Sequence, residues 1–211
     1  MIDRQLNAAV RHLKRADPVM ARVIDTVGRC EYAPYHDRPH FDALISSIIY
    51  QQISGKAADT ILRRVQALYD DSFPTPHQLL ETADARLRSA GLSRQKIGYL
   101  RDLAGKAATG AVPFESLHAL EDEIVIDSLV SIRGVGRWTA QMFLMFRLGR
   151  LDVLADGDLG VQNAIRRAYR LRKRPTPERV RKIGAPWAPY RTIACWYLWR
   201  SLGGTAGKLP G

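Results

Sequence analysis

The chain has 211 residues, two cysteines and a formal net charge of +11 at pH 7. This length can bury a substantial core and suits one domain or two small ones. Cys30 and Cys195 form no CxxC pair, which argues against a disulfide framework or a thiolate metal cluster. The positive charge indicates a polyanionic partner. No apolar run of about twenty residues predicts a membrane span.

The N-terminal segment predicts two helices and an irregular loop. Residues 4–15 have the apolar spacing of a short amphipathic helix. Asp17 followed by Pro18 is the pattern of a cap and a first-turn proline, and it predicts a second helix that Gly28 can end. Residues 30–40 are rich in proline and histidine, so we place the first domain boundary in this loop.

The middle of the chain predicts a series of capped helices. Residues 41–51 are apolar at helical spacing and predict a buried helix that ends in two glutamines. A further helix is predicted for residues 56–69. Thr75 is placed to cap a short helix, and Ser93 is placed to open a longer one that Gly110 ends.

A glycine turn between two apolar helices is the feature around which the chain is organised. Gly134 and Gly136 separate helices predicted for residues 124–132 and 137–148. Glycine admits positive φ and lets a ligand approach the backbone, and the first amides of the second helix favour an anion such as a phosphate. The carbonyls that end the first helix could likewise hold a monovalent cation. The same turn also occurs as a plain connection, so both interpretations stay open.

Two carboxylates, Asp156 and Asp158, follow the second of these helices. Asp158 could be simply the N-cap of a helix predicted for residues 159–171. Residues 166–182 hold nine Arg or Lys and one acid, a composition that suits either a solvated surface or contacts with backbone phosphates. The last predicted helix covers residues 188–202. No window alternates as strands do, so the sequence predicts an all-α protein.

The segment IRGVGRWTA, followed by Asp158 within LADGDLGV, resembles the helix-hairpin-helix and Gly/Pro-rich loop with aspartate (HhH-GPD) of the DNA glycosylase superfamily of that name. Within it, the chain most resembles the 3-methyladenine DNA glycosylase II branch, which excises alkylated bases. Four further segments resemble this family in its order: HLKRADPVMARVI, IIYQQISGKAA, GLSRQKIGYLRDLA and APWAPYRTIACWYLWR. The resemblance therefore covers nearly the whole chain, whereas GVG alone would be weak evidence.

The resemblance implies two helical subdomains with the active site in the cleft between them. We expect a six-helix subdomain at residues 41–150 that contains the hairpin, and a second formed by residues 1–40 and 151–211 that carries the catalytic aspartate. The β-rich domain that larger relatives carry ahead of the first helix is not expected, nor is the iron-sulfur loop of others. A monomer is expected, located in the cytoplasm and associated with the nucleoid through DNA.

The implied function is that of a monofunctional glycosylase in base excision repair. Such an enzyme flips an alkylated base, for example 3-methyladenine or 7-methylguanine, out of double-stranded DNA and hydrolyses its N-glycosidic bond, leaving an abasic site. The departing base leaves positive charge on the sugar, which a fixed carboxylate stabilises. Asp158 matches the family's position for this role. Asp156 lacks that match and is expected to be a turn residue.

The resemblance also assigns aromatic and polar side chains. Trp138 and Trp199 match the family's base-pocket aromatics, which would attract a cationic base, and Tyr190 is a further candidate. Relatives that also cut the strand carry a Schiff-base lysine where this chain has Trp138, so no lyase activity is expected. Gln52 is the candidate for filling the gap left by the flipped base, although a glutamine at a helix end can simply meet water.

The hairpin is expected to bind the DNA backbone. The residues assigned to this contact are Gly134, Val135, Gly136, Arg137 and Thr139. No cofactor is expected to be required. A structural Na⁺ or K⁺ at the hairpin would be bound by the backbone carbonyls of Val130, Ile132 and Val135.

Two other interpretations use the same features. A DNA-binding module that has the hairpin but no chemistry would need none of Asp158, Trp138 and Trp199. A glycosylase for oxidised or mismatched bases would commonly carry the lysine and the cysteine cluster, and both are missing from this sequence.

Overall fold

A computed structural model of the chain describes residues 2–35 and 38–203. Those residues form twelve α-helices and no strand, which confirms the predicted all-α class. The helices are α1 Ile2–Ala16, α2 Pro18–Val27, α3 His40–Tyr50, α4 Gly55–Gln66, α5 Pro76–Glu81, α6 Asp84–Ser89, α7 Arg94–Ala108, α8 Asp122–Val130, α9 Arg137–Phe146, α10 Leu159–Ala168, α11 Pro177–Gly184 and α12 Arg191–Ser201. Short 3-10 turns lie at Ala67–Tyr69, Leu117–Ala119 and Ala185–Trp187.

The described residues divide into two compact units. Residues 2–35 and 141–203 form one, here called the terminal unit, and residues 38–140 form the other, the central unit. The division falls inside α9. The domains predicted from the sequence are 41–150 and the two chain ends. They begin the central unit at residue 41 rather than just after residue 35, and end it at residue 150 rather than residue 140.

The terminal unit is built around α12. Residues 192–198 of this helix are all buried and, apart from Thr192, hydrophobic. A helix that is apolar on every side is stable only inside a core, and α2 and α10 both pack against α12. The predicted start of α2 is confirmed, because the Asp17 side chain accepts hydrogen bonds from the backbone N–H groups of Val19 and Met20.

The central unit is built around α3 and α7. The predicted buried face of α3 is confirmed, since Phe41, Leu44, Ile45, Ile48 and Ile49 are all buried. The predicted caps are confirmed too: the hydroxyl of Thr75 accepts from the backbone of Gln78, and that of Ser93 accepts from Lys96. None of the helices that the structure describes is long and apolar enough to cross a bilayer.

Several predicted helix limits are wrong by two or three residues. The helix predicted for 137–148 is α9, which ends at Phe146. The helix predicted for 124–132 is α8, which spans 122–130 because acidic residues already occupy its first turn. The helix predicted for 159–171 ends at Ala168, since Arg170 takes a left-handed φ of 54°. The last helix begins at Arg191 rather than at residue 188, because residues 185–187 form a separate 3-10 turn.

Candidate active site

Asp158 lies at the N-cap of α10 in the terminal unit. Its Oδ1 accepts a hydrogen bond from the backbone N–H of Val161 at 2.7 Å and another from the indole Nε1–H of Trp199 at 2.8 Å. The residue is half-buried. The capping role is therefore observed, and it leaves the carboxylate in contact with the aromatic side chain assigned to the base pocket. Its catalytic role stays a prediction.

The loop that leads to Asp158 is tied to the start of α12. The Thr192 hydroxyl donates to the carbonyl of Arg150 at 2.7 Å and accepts from the backbone N–H of Val153 at 3.0 Å. Asp152 accepts two hydrogen bonds from the guanidinium of Arg191, at 2.7 and 2.8 Å. A loop held at several points positions its carboxylate before any substrate arrives, as electrostatic catalysis requires.

Asp156 is a structural residue, as predicted. It lies in a turn, and its carboxylate forms an ion pair with Arg181. Its backbone carbonyl accepts a hydrogen bond from the side-chain amide of Gln162 at 3.0 Å. The two neighbouring carboxylates therefore have different partners: Asp156 has a guanidinium, whereas Asp158 has an indole and a backbone amide.

Trp199 belongs to an aromatic cluster that the sequence analysis missed. Its ring centroid lies 6.1 Å from that of Phe146, which lies 5.8 Å from Tyr32 and 6.2 Å from Tyr35. The Tyr32 hydroxyl donates to the carbonyl of Met145, and burial raises the pKa of this phenol. No pattern in the sequence links Tyr32 or Tyr35 of the 30–40 loop to Phe146. Tyr32 and Phe146 are buried, so Trp199 and Tyr35 are the partly exposed rings of this cluster.

Tyr190 is not brought next to this cluster. Its ring packs edge-on against His12 of α1, with centroids 5.5 Å apart. Tyr190 lies at the N-terminal end of α12 and Trp199 near its C-terminal end, roughly 13 Å apart along the helix axis. Its assignment to the base pocket therefore gains no support from the terminal unit.

Cys195 lies in the same part of the core and is fully buried. Burial raises the pKa of its thiol to about 12. A thiol must lose its proton to act as a nucleophile or a metal ligand, so Cys195 is a packing residue.

The glycine turn of the hairpin lies in the central unit. Gly134 has a φ of +84°, and a Cβ at this position would lie 2.2 Å from the ring of Tyr99. Both the backbone conformation and the space therefore require glycine here. A Cβ at Gly136 would meet nothing within 4 Å, so this second glycine is not required by packing.

Side chains from the end of α3 and from α7 hold the turn in place: Gln51 directly follows α3, and Asp102 lies in α7. The Gln51 side-chain amide donates to the carbonyl of Gly134 at 2.8 Å. The Asp102 carboxylate accepts from the backbone N–H of Arg133 at 2.8 Å and from Lys106 at 2.6 Å. Burial alone would raise the pKa of Asp102, but these hydrogen bonds outweigh it and hold the pKa below its usual value. The turn is thus held at two neighbouring residues, Arg133 and Gly134, by side chains from outside the hairpin.

The amides available for a phosphate are those at the start of α9. Val135 donates its own backbone N–H to the carbonyl of Ile132 at 3.0 Å, which closes the turn and uses that amide. The side chains of Val135 and Thr139 are buried. Arg137 is exposed and forms a two-bond ion pair with Glu123, at 2.9 and 2.6 Å. A DNA phosphate would therefore compete with Glu123 for the Arg137 side chain.

Gln52 and Trp138 line one pocket of the central unit, about 520 Å³ in volume, together with Gln51, Lys96, Tyr99 and Thr139. Gln52 is exposed and has a left-handed φ of 59°, a conformation that costs a non-glycine residue roughly 1 kcal/mol. Trp138 is 50% exposed. A large aromatic ring left half in solvent is unusual in a residue that serves only for core packing.

The carbonyls assigned to a monovalent cation lie where α8 ends. Val130 is its last residue, and the Ile132 carbonyl already accepts one hydrogen bond in the turn. Each carbonyl oxygen has two lone pairs, and neutral oxygen ligands suit Na⁺ or K⁺ rather than a transition metal. Across residues 2–35 and 38–203, no three His, Cys, Asp or Glu side chains group as metal ligands.

Comparison with known proteins identifies the family. The chain is 33% identical to the alkylbase DNA glycosidase-like protein mag2 of Schizosaccharomyces pombe over 94% of both sequences. It is 35% identical to DNA-3-methyladenine glycosylase 1 of the same organism, over 93% of this chain and 87% of that protein.

Solved structures of 3-methyladenine DNA glycosylases also match the chain. The 3-methyladenine DNA glycosylase Mag1 of S. pombe in complex with abasic DNA matches with a TM-score of 0.78 and 35% identity, over 92% of this chain and 95% of that one. A DNA-3-methyladenine glycosidase from Bacillus halodurans matches with a TM-score of 0.84 and 36% identity, over 96% and 93%. Residues 45–189 match the sequence profile described as HhH-GPD superfamily base excision DNA repair protein. The chain therefore belongs to the HhH-GPD superfamily of DNA glycosylases, as its ordered motifs predict.

Proposed function

We propose that this protein is a monofunctional DNA glycosylase of base excision repair that hydrolyses the N-glycosidic bond of alkylated bases, including 3-methyladenine and 7-methylguanine. The observation that carries the proposal is the half-buried Asp158 carboxylate, held by two hydrogen bonds beside Trp199 and its aromatic neighbours. Relatives with alkylbase and 3-methyladenine glycosylase names support the substrate class.

Asp158 is proposed as the catalytic residue. As the bond between the sugar carbon and the base nitrogen breaks, its electrons leave with the base and positive charge develops on the sugar. The fixed carboxylate stabilises that charge and orients the water that attacks the same carbon, and the water's proton passes to the carboxylate or to solvent. An N-alkylated purine is already cationic in the nucleotide and departs neutral, so no strong general acid is needed.

The aromatic cluster is proposed to attract the cationic base. Trp199 contacts both Asp158 and Phe146, so a base bound on this surface would have its sugar close to the carboxylate. An aromatic face attracts a cation by about 0.5–2 kcal/mol, more when water is excluded. A normal, neutral purine gains less from the same surface, which gives a basis for selecting alkylated bases. Trp138 is proposed as a second aromatic for the base.

The hairpin is proposed to bind a backbone phosphate through the amides at the start of α9, with Gln52 filling the space of the flipped nucleotide. A Na⁺ or K⁺ bound at the end of α8 would add positive charge near that phosphate. DNA is the partner of this family of proteins, and we propose that the enzyme works in the cytoplasm, at the nucleoid.

Hydrolysis without strand cleavage follows from Trp138, which has no amine. Lys96 lines the same pocket, and burial lowers the pKa of its ammonium group. Its Nζ, however, donates to the carbonyl of Ile49 at the end of α3, so its structural role is to cap that helix. We therefore expect no covalent protein–DNA adduct on borohydride treatment. An adduct that disappears in Lys96→Ala would contradict the monofunctional assignment.

The proposal is tested by release of free base from DNA methylated with dimethyl sulfate. Asp158→Asn keeps a side chain that can cap α10 but removes the charge, and it should lose about 100- to 1,000-fold in rate. Asp156→Asn is the matched control two residues away and should retain most activity. Strands should stay intact until alkali is added.

Three outcomes would overturn parts of the proposal. Binding to DNA without base release by the wild type would favour the binding-module interpretation. Equal release by the wild type and Asp158→Asn would place the chemistry at another residue. Release of oxidised but not of methylated bases would favour the third interpretation.

A further inference from the structure

Trp199 has a second property besides its aromatic face, namely its hydrogen bond to Asp158. We propose that Trp199 is a positioning residue: its indole N–H fixes the orientation of the Asp158 carboxylate, and Gly160 is the residue that allows this contact. The inference rests on the proposed function, because it takes Asp158 to be the catalytic group.

Two donors from different elements converge on one oxygen. The backbone N–H of Val161 belongs to α10, and the indole Nε1–H of Trp199 belongs to α12; they reach Oδ1 of Asp158 at 2.7 and 2.8 Å. Hydrogen bonds to an ionised acceptor are about twice as strong as neutral ones. One capping bond alone would fix a helix start, whereas two bonds from separate directions also fix the rotation of the carboxylate.

Gly160 lies directly beneath this contact. A Cβ on Gly160 would lie 2.9 Å from Cδ1 of Trp199, 3.0 Å from Oδ1 of Asp158 and 3.1 Å from Nε1 of Trp199. All three atoms belong to the contact itself, and separations this short require the neighbours to move. Gly160 has no positive φ, so its backbone conformation does not call for glycine. The requirement for glycine at this position comes from the Trp199–Asp158 contact.

The indole is itself held in place. Trp199 follows the fully buried segment 192–198 of α12, and its ring packs against Phe146. The start of the same helix is tied to the loop that precedes Asp158 through Thr192. The helix that carries the donor is thus also hydrogen-bonded to the loop that precedes the acceptor, as a positioning contact needs.

The test separates positioning from aromatic packing. Trp199→Phe keeps an aromatic ring for the base and for Phe146 but removes the N–H. We expect the single-turnover rate of base release from dimethyl-sulfate-treated DNA to fall about 10- to 100-fold at saturating enzyme. The enzyme concentration that gives half the maximal rate should change less than threefold, roughly, since the aromatic surface remains.

Gly160→Ala provides the second variant. Its methyl group should separate the indole from the carboxylate and lower the rate by a similar factor, and the double variant should fall no further than the more impaired single one, because both changes break the same contact. Trp187→Phe is the matched control, since Trp187 also donates its indole N–H to an N-cap aspartate, Asp17. This control should lower the melting temperature but not the rate per folded enzyme.

The outcomes distinguish this inference from the proposed function. If the wild type releases base and Trp199→Phe does so at the same maximal rate, the positioning role is wrong while the glycosylase assignment stands. The same conclusion follows if Trp199→Phe changes only the half-saturating concentration, since Trp199 would then be only a pocket wall. If the wild type releases no base, the proposed function fails and the positioning role fails with it.

Discussion

Two aspartates of the terminal unit, Asp17 and Asp158, cap helices and accept an indole N–H, yet they differ in what surrounds them. Asp17 is 7% exposed and accepts from Val19 and Met20 on one oxygen, and from Trp187 and the Tyr169 hydroxyl on the other. Asp158 is half-buried and borders an aromatic surface.

The difference in burial and in partners bears on the catalytic role proposed for Asp158. Burial alone would raise the pKa of Asp17, but its hydrogen bonds outweigh that effect and hold the pKa below its usual value. A carboxylate whose two oxygens are both engaged and sealed from solvent can stabilise a fold but cannot meet a substrate. Asp158 has the same capping geometry but is partly exposed to solvent, which its proposed role requires.

The largest expected difference between the two aspartates is in the rate of base release. Asp158→Asn should lower the rate of base release by about 100- to 1,000-fold with little change in melting temperature, because asparagine also caps helices well. Asp17→Asn should leave the rate per folded enzyme unchanged. Single-turnover base release, normalised to the folded fraction, measures both. A comparable rate loss in Asp17→Asn would mean that the two carboxylates are not separate in function.

The next largest expected difference between the two aspartates is in the free energy of unfolding. Asp17→Asn places an amide NH₂ where Trp187 and Tyr169 also donate, so at least one buried donor loses its acceptor. We expect a loss of about 2 kcal/mol in the free energy of unfolding, read from urea denaturation at pH 7. Asp158→Asn should lose less than about 1 kcal/mol in the same measurement. The reverse order would show that Asp158 is the more structural of the two.

A smaller expected effect is the pH dependence of the stability that Asp17 contributes. The pKa of Asp17 is lower in the folded protein than its ordinary value of 3.8, so its ionised form stabilises the fold. That contribution is complete above the unfolded-state value and is lost as the pH falls through the lower folded-state value. The difference in melting temperature between the wild type and Asp17→Asn should therefore shrink below about pH 4.

Asp71→Asn serves as the control for general acid effects, since Asp71 is an exposed carboxylate of the central unit. Comparing it with the wild type measures how far the removal of one exposed carboxylate changes the melting temperature over the same pH range, between pH 7 and pH 3. The expected result is contradicted if the melting temperatures of the wild type and Asp17→Asn differ by the same amount at both pH values. The charge of Asp17 would then play no part in stability.

Much of the fold could be predicted because its signals are local. The caps at Asp17, Thr75 and Ser93, and the turn at Gly134, each depend on residues within about one helical turn. The helix ends that were wrong, such as the start of α12, depend on where a 3-10 turn gives way to an α-helix. No residue pattern within the helix itself fixes that point.

The site was predictable only in part, because some of its contacts join residues that are far apart in the sequence. The position of Asp158 followed from a motif that is continuous in sequence. Its partner Trp199 is 41 residues away, and the Tyr32 hydroxyl meets the Met145 carbonyl across 113 residues. Periodicity and composition carry no information about such pairs, so the aromatic cluster around Phe146 could be found only in the folded chain.

The N-cap position of Asp158 affects how this residue can change in evolution. A single side chain here both starts α10 and, in our proposal, performs the chemistry, so selection for folding and selection for activity act on the same residue. A descendant that no longer excised bases would still lose about 1 kcal/mol by replacing the cap with alanine. Asparagine or serine at this position is therefore the change that would record the loss of catalysis, and an aspartate retained there would not by itself prove that catalysis persists.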